Sequence, residues 1–305
     1  MQERFALGKK LLLGTLLCFF GSLLVFILNG ATLKNSFLAG IALGLIVLSM
    51  VTSLILVLRL IKTAASEEEA LIHRHLDSIR AKLGPGVYYT PHPSFETEQV
   101  LINPATEWNH ANAIETAHGF EGNFGGMPFK AYELRTVYYR GGKKHHASCK
   151  FRGYIIMAQK PLTCRKEISI RTKSYFHPLY MNENEPYSIK NPYNAFIKTF
   201  YPFITQNNTF DAAFNCLLAH EADVQYLLRH EALCRVLVEA TGKTARDFSV
   251  FISPQGYIAL SVRELSFSRL DPVRDPMSFE EHFERTLGEL SFFMNLLHDL
   301  YTQLD

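Results

Sequence analysis

The stretch FSVFISPQGYIALSV, residues 248–262, gives the clearest structural signal in the chain. Phe248, Val250 and Ile252 alternate with other residues before the turn-forming sequence Ser253-Pro254-Gln255-Gly256, and the alternation resumes after it. A period of two on both sides of a turn predicts an antiparallel β-hairpin. This hairpin sets the antiparallel character that we expect for the rest of the sheet.

A second hairpin is predicted upstream, where β-rich runs at 132–139 and 147–157 flank the polar sequence GGKKHH. Gly119–Gly126 is turn-rich and predicts a tight loop before the first of these runs, and Glu167–Ile170 predicts a further short strand. Glu133 and Arg135 alternate with Leu134, so we expect both of them to face solvent.

Helices are predicted at both ends of this β region. Ser66–Glu69 reads as a capping box that opens a linker helix within residues 63–86, which ends at Gly84-Pro85-Gly86. Phe210–Leu218 predicts a strand, and residues 221–240 predict helices. Ser278 and Glu281 predict a second capping box for a closing helix. Strands, helices, a hairpin and a helix in this order predict an α+β domain over 87–305, with a mainly antiparallel sheet and packed helices.

The N-terminal residues 1–62 are far more apolar than the rest of the chain. Leu11–Leu28 and Phe37–Leu58 are apolar runs of about 18 and 22 residues, which is the length of transmembrane helices, here about 11–30 and 37–58. Basic residues precede the first run and follow the second, and only Lys34 lies between them. The pattern predicts a two-pass anchor in the inner membrane of a bacterial cell, with both termini in the cytoplasm.

Gly40 and Gly44 lie four residues apart in the second apolar run. This spacing puts two small residues on one face of a helix, which permits close helix packing. We expect the two predicted spans to pack against each other through this face, and a homodimer through the transmembrane helices is the alternative.

The composition excludes several classes of protein. The chain has 305 residues with 31 Lys+Arg against 29 Asp+Glu, a net charge of +2, so a strongly basic nucleic-acid binder is excluded and no nucleic-acid partner is expected. Five cysteines without a CxxC pair predict neither a disulfide scaffold nor a structural zinc site. No zincin, nucleophile-elbow or phosphate-loop motif occurs, so no cofactor, metal or catalytic residue is predicted, although an enzyme with an unrecognised site stays open.

Two surface regions are candidates for binding. The segment 173–208 is rich in aromatic residues and predicts either an irregular layer over the sheet, with a short helix near 194–199, or a partner surface. The residues that would form this partner surface are Tyr175, Phe176, Tyr180, Tyr193, Phe200 and Tyr201. The turn residues Lys143, Lys144, His145 and His146 are either a solvated tip or a contact for anions or lipid headgroups.

Several segments resemble the bacterial membrane-anchored proteins grouped as domain of unknown function 3137. The resemblance lies in Ile114–Leu134, where a Gly-rich stretch leads into Phe129-Lys130-Ala131-Tyr132-Glu133-Leu134, and in Lys150–Tyr154. It returns in Phe210–Leu237 and in Phe248–Val262 with the closing helix. The resemblance implies an N-terminal membrane hairpin and an α+β cytoplasmic domain, and it supplies no catalytic residues.

The combination of an anchor with no catalytic motif predicts a membrane-tethered cytoplasmic binding or scaffold protein. Its expected partners are the lipid bilayer and an unidentified protein. Two alternatives stay open: a translocated bacterial effector that inserts its hairpin into a host membrane, and a membrane-anchored enzyme.

Overall fold

The protein is described by a computed structural model, which covers residues 14–15, 19–21, 23, 27, 36–94, 103–106, 111–139, 147–162, 164, 166–175, 186–190, 197–220, 231–267 and 277–304. The chain divides into two compact units, Met1–Arg74 and His75–Asp305.

The first unit contains one long helix, α1, which spans Ser36–Arg74. Its 39 residues give a length of about 58 Å. Ser53 Oγ donates a hydrogen bond of 3.0 Å to Thr15 Oγ1, so the helical residues near position 15 lie beside the middle of α1. Large apolar side chains of this unit, among them Leu48 and Leu54, are about 60 % exposed.

The transmembrane hairpin predicted at about 11–30 and 37–58 is not seen. Within the described residues, no helix offers a stretch that is both long enough and apolar enough to cross a bilayer. The apolar run Phe37–Leu58 does not form a helix of its own, because α1 continues without a break through charged residues to Arg74. This finding corrects the prediction of an integral, two-pass inner-membrane protein with cytoplasmic termini.

The linker helix predicted within 63–86 also differs from the structure. Ser66 lies inside α1 and not at a helix start, so Ser66–Glu69 is not a capping box. A new helix, α2, begins only at Leu76 and spans Leu76–Leu83. It ends at Gly84, as the sequence predicts.

The second unit is built on one large antiparallel sheet. Its strands are β1 (Tyr88–Thr90), β2 (Ala113–Phe124), β3 (Met127–Tyr139), β4 (Ala147–Gln159), β5 (Ile168–Thr172), β6 (Tyr187–Lys190), β7 (Ile197–Phe203), β8 (Phe214–Leu218), β9 (Phe248–Ser253) and β10 (Tyr257–Arg263). In the described residues the ten strands lie in the order β1-β2-β3-β4-β10-β9-β5-β8-β7-β6. β1 and β6 are therefore the edge strands.

The helices cover one face of this sheet. They are α3 (Asn208–Ala213), α4 (Glu231–Thr241) and α5 (Phe279–Gln303). A short 3-10 turn, Pro104–Thr106, packs on the other face, where Ala105 belongs to the apolar cluster around Phe251 and Tyr257. Phe248 of β9 contacts Phe293 of α5 with ring centroids 5.7 Å apart, which identifies the helix-covered face. Successive side chains of a strand point to opposite faces, so Phe251 and Tyr257, whose rings lie 6.0 Å apart, belong to the other face. Every residue of β9 and the first six of β10 are buried.

The predicted hairpin at 248–262 is present as β9 and β10, with Ser253 paired to Tyr257. The capping box of α5 is also present, because the Ser278 side chain accepts from Glu281 N while the Glu281 side chain accepts from Ser278 N. The side-chain caps satisfy donors that would otherwise be unpaired at the start of the helix.

Two other predicted elements are wrong, and a third is right only in its second half. Residues 119–124 of the predicted loop belong to the long strand β2, and only Gly125 and Gly126 turn. The predicted strand Phe210–Leu218 is present over Phe214–Leu218, as β8. The residues before it belong to the helix α3, whose start is capped by Asn207 Oδ1 accepting a hydrogen bond from Phe210 N. The described part of the predicted helix near 194–199 is the start of β7.

Gly153 lies on β4 where the backbone of the neighbouring strand β10 comes unusually close. A Cβ atom at this position would be 1.9 Å from the carbonyl oxygen of Val262, which is backbone and cannot move aside. The close approach coincides with the end of the pairing between the two strands, where Gly153 is opposite Arg263. Glycine is therefore required here by contact and not by its backbone angles.

Replacing Gly153 by Ala should lower the free energy of unfolding by about 3 kcal/mol or more, because the added methyl group forces β4 and β10 apart. Urea denaturation of the full chain measures the loss. The matched control is Gly288→Ala in α5, where an added Cβ meets no atom within 4 Å. There the change should stabilise the helix by about 1 kcal/mol, so equal effects of the two substitutions would contradict the explanation.

Candidate binding groove

A groove of about 360 Å³ opens on the sheet near the edge strand β1. Its lining comes from five neighbouring strands in the order β1-β2-β3-β4-β10. The side chains that line it include Tyr88, Glu121, Lys130, Met157, Gln159 and Tyr257. They lie on the face opposite to the one that α5 covers, because each is in register with its neighbours on that face.

The strand register arranges these side chains in two rows. Tyr88 is opposite Glu121, Glu121 is opposite Lys130, and Lys130 is opposite Met157, which makes one row across four strands. Gln159 is opposite Tyr257 in a second row, two residues further along β4. The groove thus runs obliquely across the strands, from Tyr88 to Tyr257.

The two ends of the groove are aromatic and differ in exposure. Tyr88 is 72 % exposed, so its ring is available on the surface. Tyr257 is only 3 % exposed and forms a floor together with Met157. A ligand that covered the Tyr88 ring would remove a large apolar area from water, which is a favourable contribution to binding.

The middle of the groove carries one charge of each sign. Glu121 and Lys130 are directly opposed on β2 and β3, where side chains start about 5 Å apart. Among the described residues, neither of them forms an ion pair or a side-chain hydrogen bond. Both charges are therefore accessible to charged groups of a ligand.

The structure separates the aromatic residues proposed as a partner surface. Tyr175 and Phe200 are fully buried in the apolar cluster on the groove side of the sheet. Tyr201 is 52 % exposed on β7, far along the sheet order from the groove. Phe176, Tyr180 and Tyr193 lie outside the described residues, as do Lys143, Lys144, His145 and His146.

Of the glycine pair Gly40 and Gly44 in the first unit, Gly44 is the member whose surroundings lie within the described residues. An added Cβ at Gly44 would meet no atom within 4 Å, so the described residues leave this part of α1 open. The side-chain surroundings of position 40 lie outside the description. Close helix packing through Gly40 and Gly44 stays a prediction.

Two of the buried cysteines, Cys216 and Cys234, are in surroundings that disfavour nucleophilic chemistry. Burial raises the pKa of the Cys216 thiol well above its usual value, and it raises the pKa of Cys234 to about 11. A thiol with a raised pKa carries almost no thiolate at neutral pH, and the thiolate is the reactive form. The described residues also contain no group of three His, Cys, Asp or Glu side chains that could hold a metal ion.

The alternation of its strand predicts that Glu133 faces solvent, and this prediction is wrong. Glu133 is only 3 % exposed and lies on the helix-covered side of the sheet. Its Oε1 atom accepts a hydrogen bond of 2.6 Å from Ser266 Oγ and lies 3.6 Å from Arg152 Nη2. Arg152 Nη2 also donates to Ser266 Oγ at 3.0 Å, and His282 Nε2 donates to the Ser266 carbonyl at 2.9 Å. Ser266 thus links β3, β4 and α5 through a buried polar network.

Replacing Ser266 by Ala should cost about 1–3 kcal/mol of unfolding free energy, because the Glu133 carboxylate and the Arg152 guanidinium both lose a buried partner. Thermal and urea unfolding measure the loss. Ser249→Ala is the control, since the Ser249 hydroxyl is equally buried but has no hydrogen-bond partner among the described residues. Its removal should be neutral or slightly stabilising, and a loss as large as that of Ser266→Ala would contradict this account.

His118 is held at a bulge of β2 in a left-handed conformation, with φ of 46°. Tyr89 Oη is hydrogen-bonded to His118 Nδ1 at 2.9 Å, and Tyr154 Oη donates to the His118 carbonyl at 2.6 Å. Burial, with a smaller contribution from the nearby His92, lowers the pKa of His118 to about 4. The imidazole is therefore neutral in the folded protein at physiological pH.

The lowered pKa makes folding stability depend on pH between about 6.5 and 4. Above pH 6.5 the imidazole is neutral in both states, and below it the unfolded chain takes up a proton that the folded chain does not. The contribution that is lost on acidification is about 3 kcal/mol. His118→Asn keeps a residue type that tolerates positive φ and removes the titration. Urea unfolding of both proteins from pH 7 to 4 should show a weaker decline for the variant, and parallel declines would contradict the assignment.

Comparison with known proteins gives little further information. No family model and no curated protein matches the chain. Among solved structures, the chain is similar to the mycobacterial trehalose monomycolate transport factor A, TtfA, at 10 % identity and a TM-score of 0.34, over 72 % of this chain and 93 % of that chain. A likeness at this level supports no conclusion about fold or function.

Proposed function

We propose that this chain is a binding protein that holds a segment of a partner protein in the groove between Tyr88 and Tyr257. The observation that carries the proposal is the combination of an exposed aromatic ring, a buried aromatic floor and two accessible opposite charges in one groove. The proposal concerns the second unit alone and involves no membrane tether.

A protein ligand fits the composition of this groove. Interfaces between proteins are enriched in tyrosine and methionine at their centres and carry polar groups at their rims. The groove has aromatic and methionine side chains of the kind found at interface centres, namely Tyr88, Met157 and Tyr257. Its polar side chains, of the kind found at interface rims, are Glu121, Lys130 and Gln159. The elements that form the groove are regular strands, so the backbone positions from which these side chains project are fixed before a ligand arrives.

The polar groups of the second unit support binding over catalysis. The buried acid Glu133 is paired inside the core, on the face of the sheet opposite to the groove. The charges in the groove, Glu121 and Lys130, have no buried base, nucleophile or metal-ligand cluster beside them in the described residues. Binding of a ligand requires only the accessible charges and aromatic side chains that the groove already has.

Peptide display on the immobilised full chain tests the proposal. Enriched peptides should bind about tenfold more weakly to Tyr88→Ala, because removal of an exposed aromatic anchor costs about 1–2 kcal/mol at an interface. Fluorescence polarisation measures the dissociation constants.

The matched control is Tyr201→Ala, which removes an exposed tyrosine from β7, outside the groove. Peptides that bind equally well to the Tyr88 variant, or that lose binding only with the Tyr201 variant, would overturn the proposal. Unfolding curves of both variants exclude a loss of fold as the cause.

A further inference from the structure

We propose that the groove selects an extended segment whose groove-facing side chains are apolar, basic, acidic and apolar, in that order from the Tyr88 end. This inference rests on the proposed function and adds the chemical pattern of the partner. It follows from the order of the four groups along the groove, which is Tyr88, Glu121, Lys130 and then Tyr257 beside Met157.

The length of the groove matches an extended peptide. Neighbouring strands are about 4.8 Å apart, and Tyr257 is four strands from Tyr88 and two residues further along its own strand. The two rings are therefore anchored about 20 Å apart. In an extended peptide, side chains on one face repeat about every 6.8 Å, so four of them cover the same distance.

The charges favour one arrangement of the two central ligand side chains. A basic side chain opposite Glu121 and an acidic one opposite Lys130 each gain a partner of opposite sign. Two basic or two acidic side chains would each place one charge against a charge of the same sign. The groove therefore discriminates by rejecting like charges as well as by accepting the mixed pair.

The apolar ends supply affinity without setting a direction. The ring of Tyr88 lies on the surface, and Tyr257 lies at the base of the groove beside Met157. Each end can accept an aliphatic or aromatic side chain, and both the parallel and the reversed chain direction place one apolar side chain at each end. The preference for particular charges in the peptide depends on Glu121 and Lys130, so substituting one of these two residues can reverse it.

Three synthetic peptides test the inference on the full chain. Each has about seven residues, leucine at both ends, capped termini, serine at alternate positions, and a central pair that is either mixed, dibasic or diacidic. The wild-type chain should bind the mixed peptide about fivefold more tightly than the other two at low salt. Raising the salt concentration should reduce this preference, because both charges are accessible to solvent.

Charge reversal in the protein provides the decisive comparison. Lys130→Glu leaves two acids in the groove and should prefer the dibasic peptide, and Glu121→Lys leaves two bases and should prefer the diacidic one. The matched control for Lys130→Glu is Lys243→Glu, which makes the same change of net charge at an exposed position after α4 and should keep the wild-type preference. These substitutions are on the surface and are expected to leave the unfolding curve unchanged.

Each result either supports or overturns the inference. Equal binding of the three peptides, an unchanged preference after charge reversal, or no detectable binding of any of them would overturn it. If groove-dependent peptides come from the display selection but ignore the charge pattern, the inference fails and the proposed function stands. Self-association of the chain that Tyr88→Ala weakens would identify a second copy as the occupant and would overturn the partner segment.

Discussion

The pairing of β4 with β10 is the interaction on which the second unit depends. It joins the strands of the first half of the sheet to the hairpin at 248–262, in an unbroken register from Gln159 opposite Tyr257 to Gly153 opposite Arg263. One end of this register places the Tyr257 ring beside Gln159 in the groove. The other end requires glycine at 153, because the Val262 carbonyl occupies the space of a side chain. A shift of one residue would move every groove side chain of β10 to the helix-covered face.

Local patterns in the sequence predict local structure well. The hairpin of β9 and β10 depends on alternation around a turn, and the capping box of α5 depends on two residues three positions apart, so both can be read from a short window. The groove cannot be read in this way. Tyr88, Lys130 and Tyr257 are far apart in the sequence, and only the strand order of the sheet brings them together. Nothing in a window around any of them indicates a site.

The wrong predictions have a common physical origin in long-range packing. The alternation around Leu134 identifies two faces but not which of them α5 covers, so Glu133 was expected in solvent although Ser266 and Arg152 satisfy it in the core. Gly119 and Gly122 suggest a loop, yet an added Cβ would approach Pro93 or Val87 closely, so these glycines serve strand packing. In the N-terminal part, the apolar run indicates that its residues avoid water, but it does not indicate where their helix ends. The helix α1 continues well past Leu58, to Arg74.

Glu121 of β2 and Glu133 of β3 show how burial distinguishes a structural charge from a charge that is available for binding. Glu133 is buried, and Ser266 and Arg152 contact its Oε1 atom in place of water, so a ligand that displaced either of them would remove a partner from a buried charge. Glu121 keeps part of its hydration and needs no fixed partner. A basic group of a ligand can therefore approach the Glu121 carboxylate by displacing only water, without breaking a contact within the protein. The same argument applies to the exposed Lys130. The exposed pair Glu121 and Lys130 is therefore suited to binding a ligand, whereas the buried pair Glu133 and Arg152 holds the sheet together.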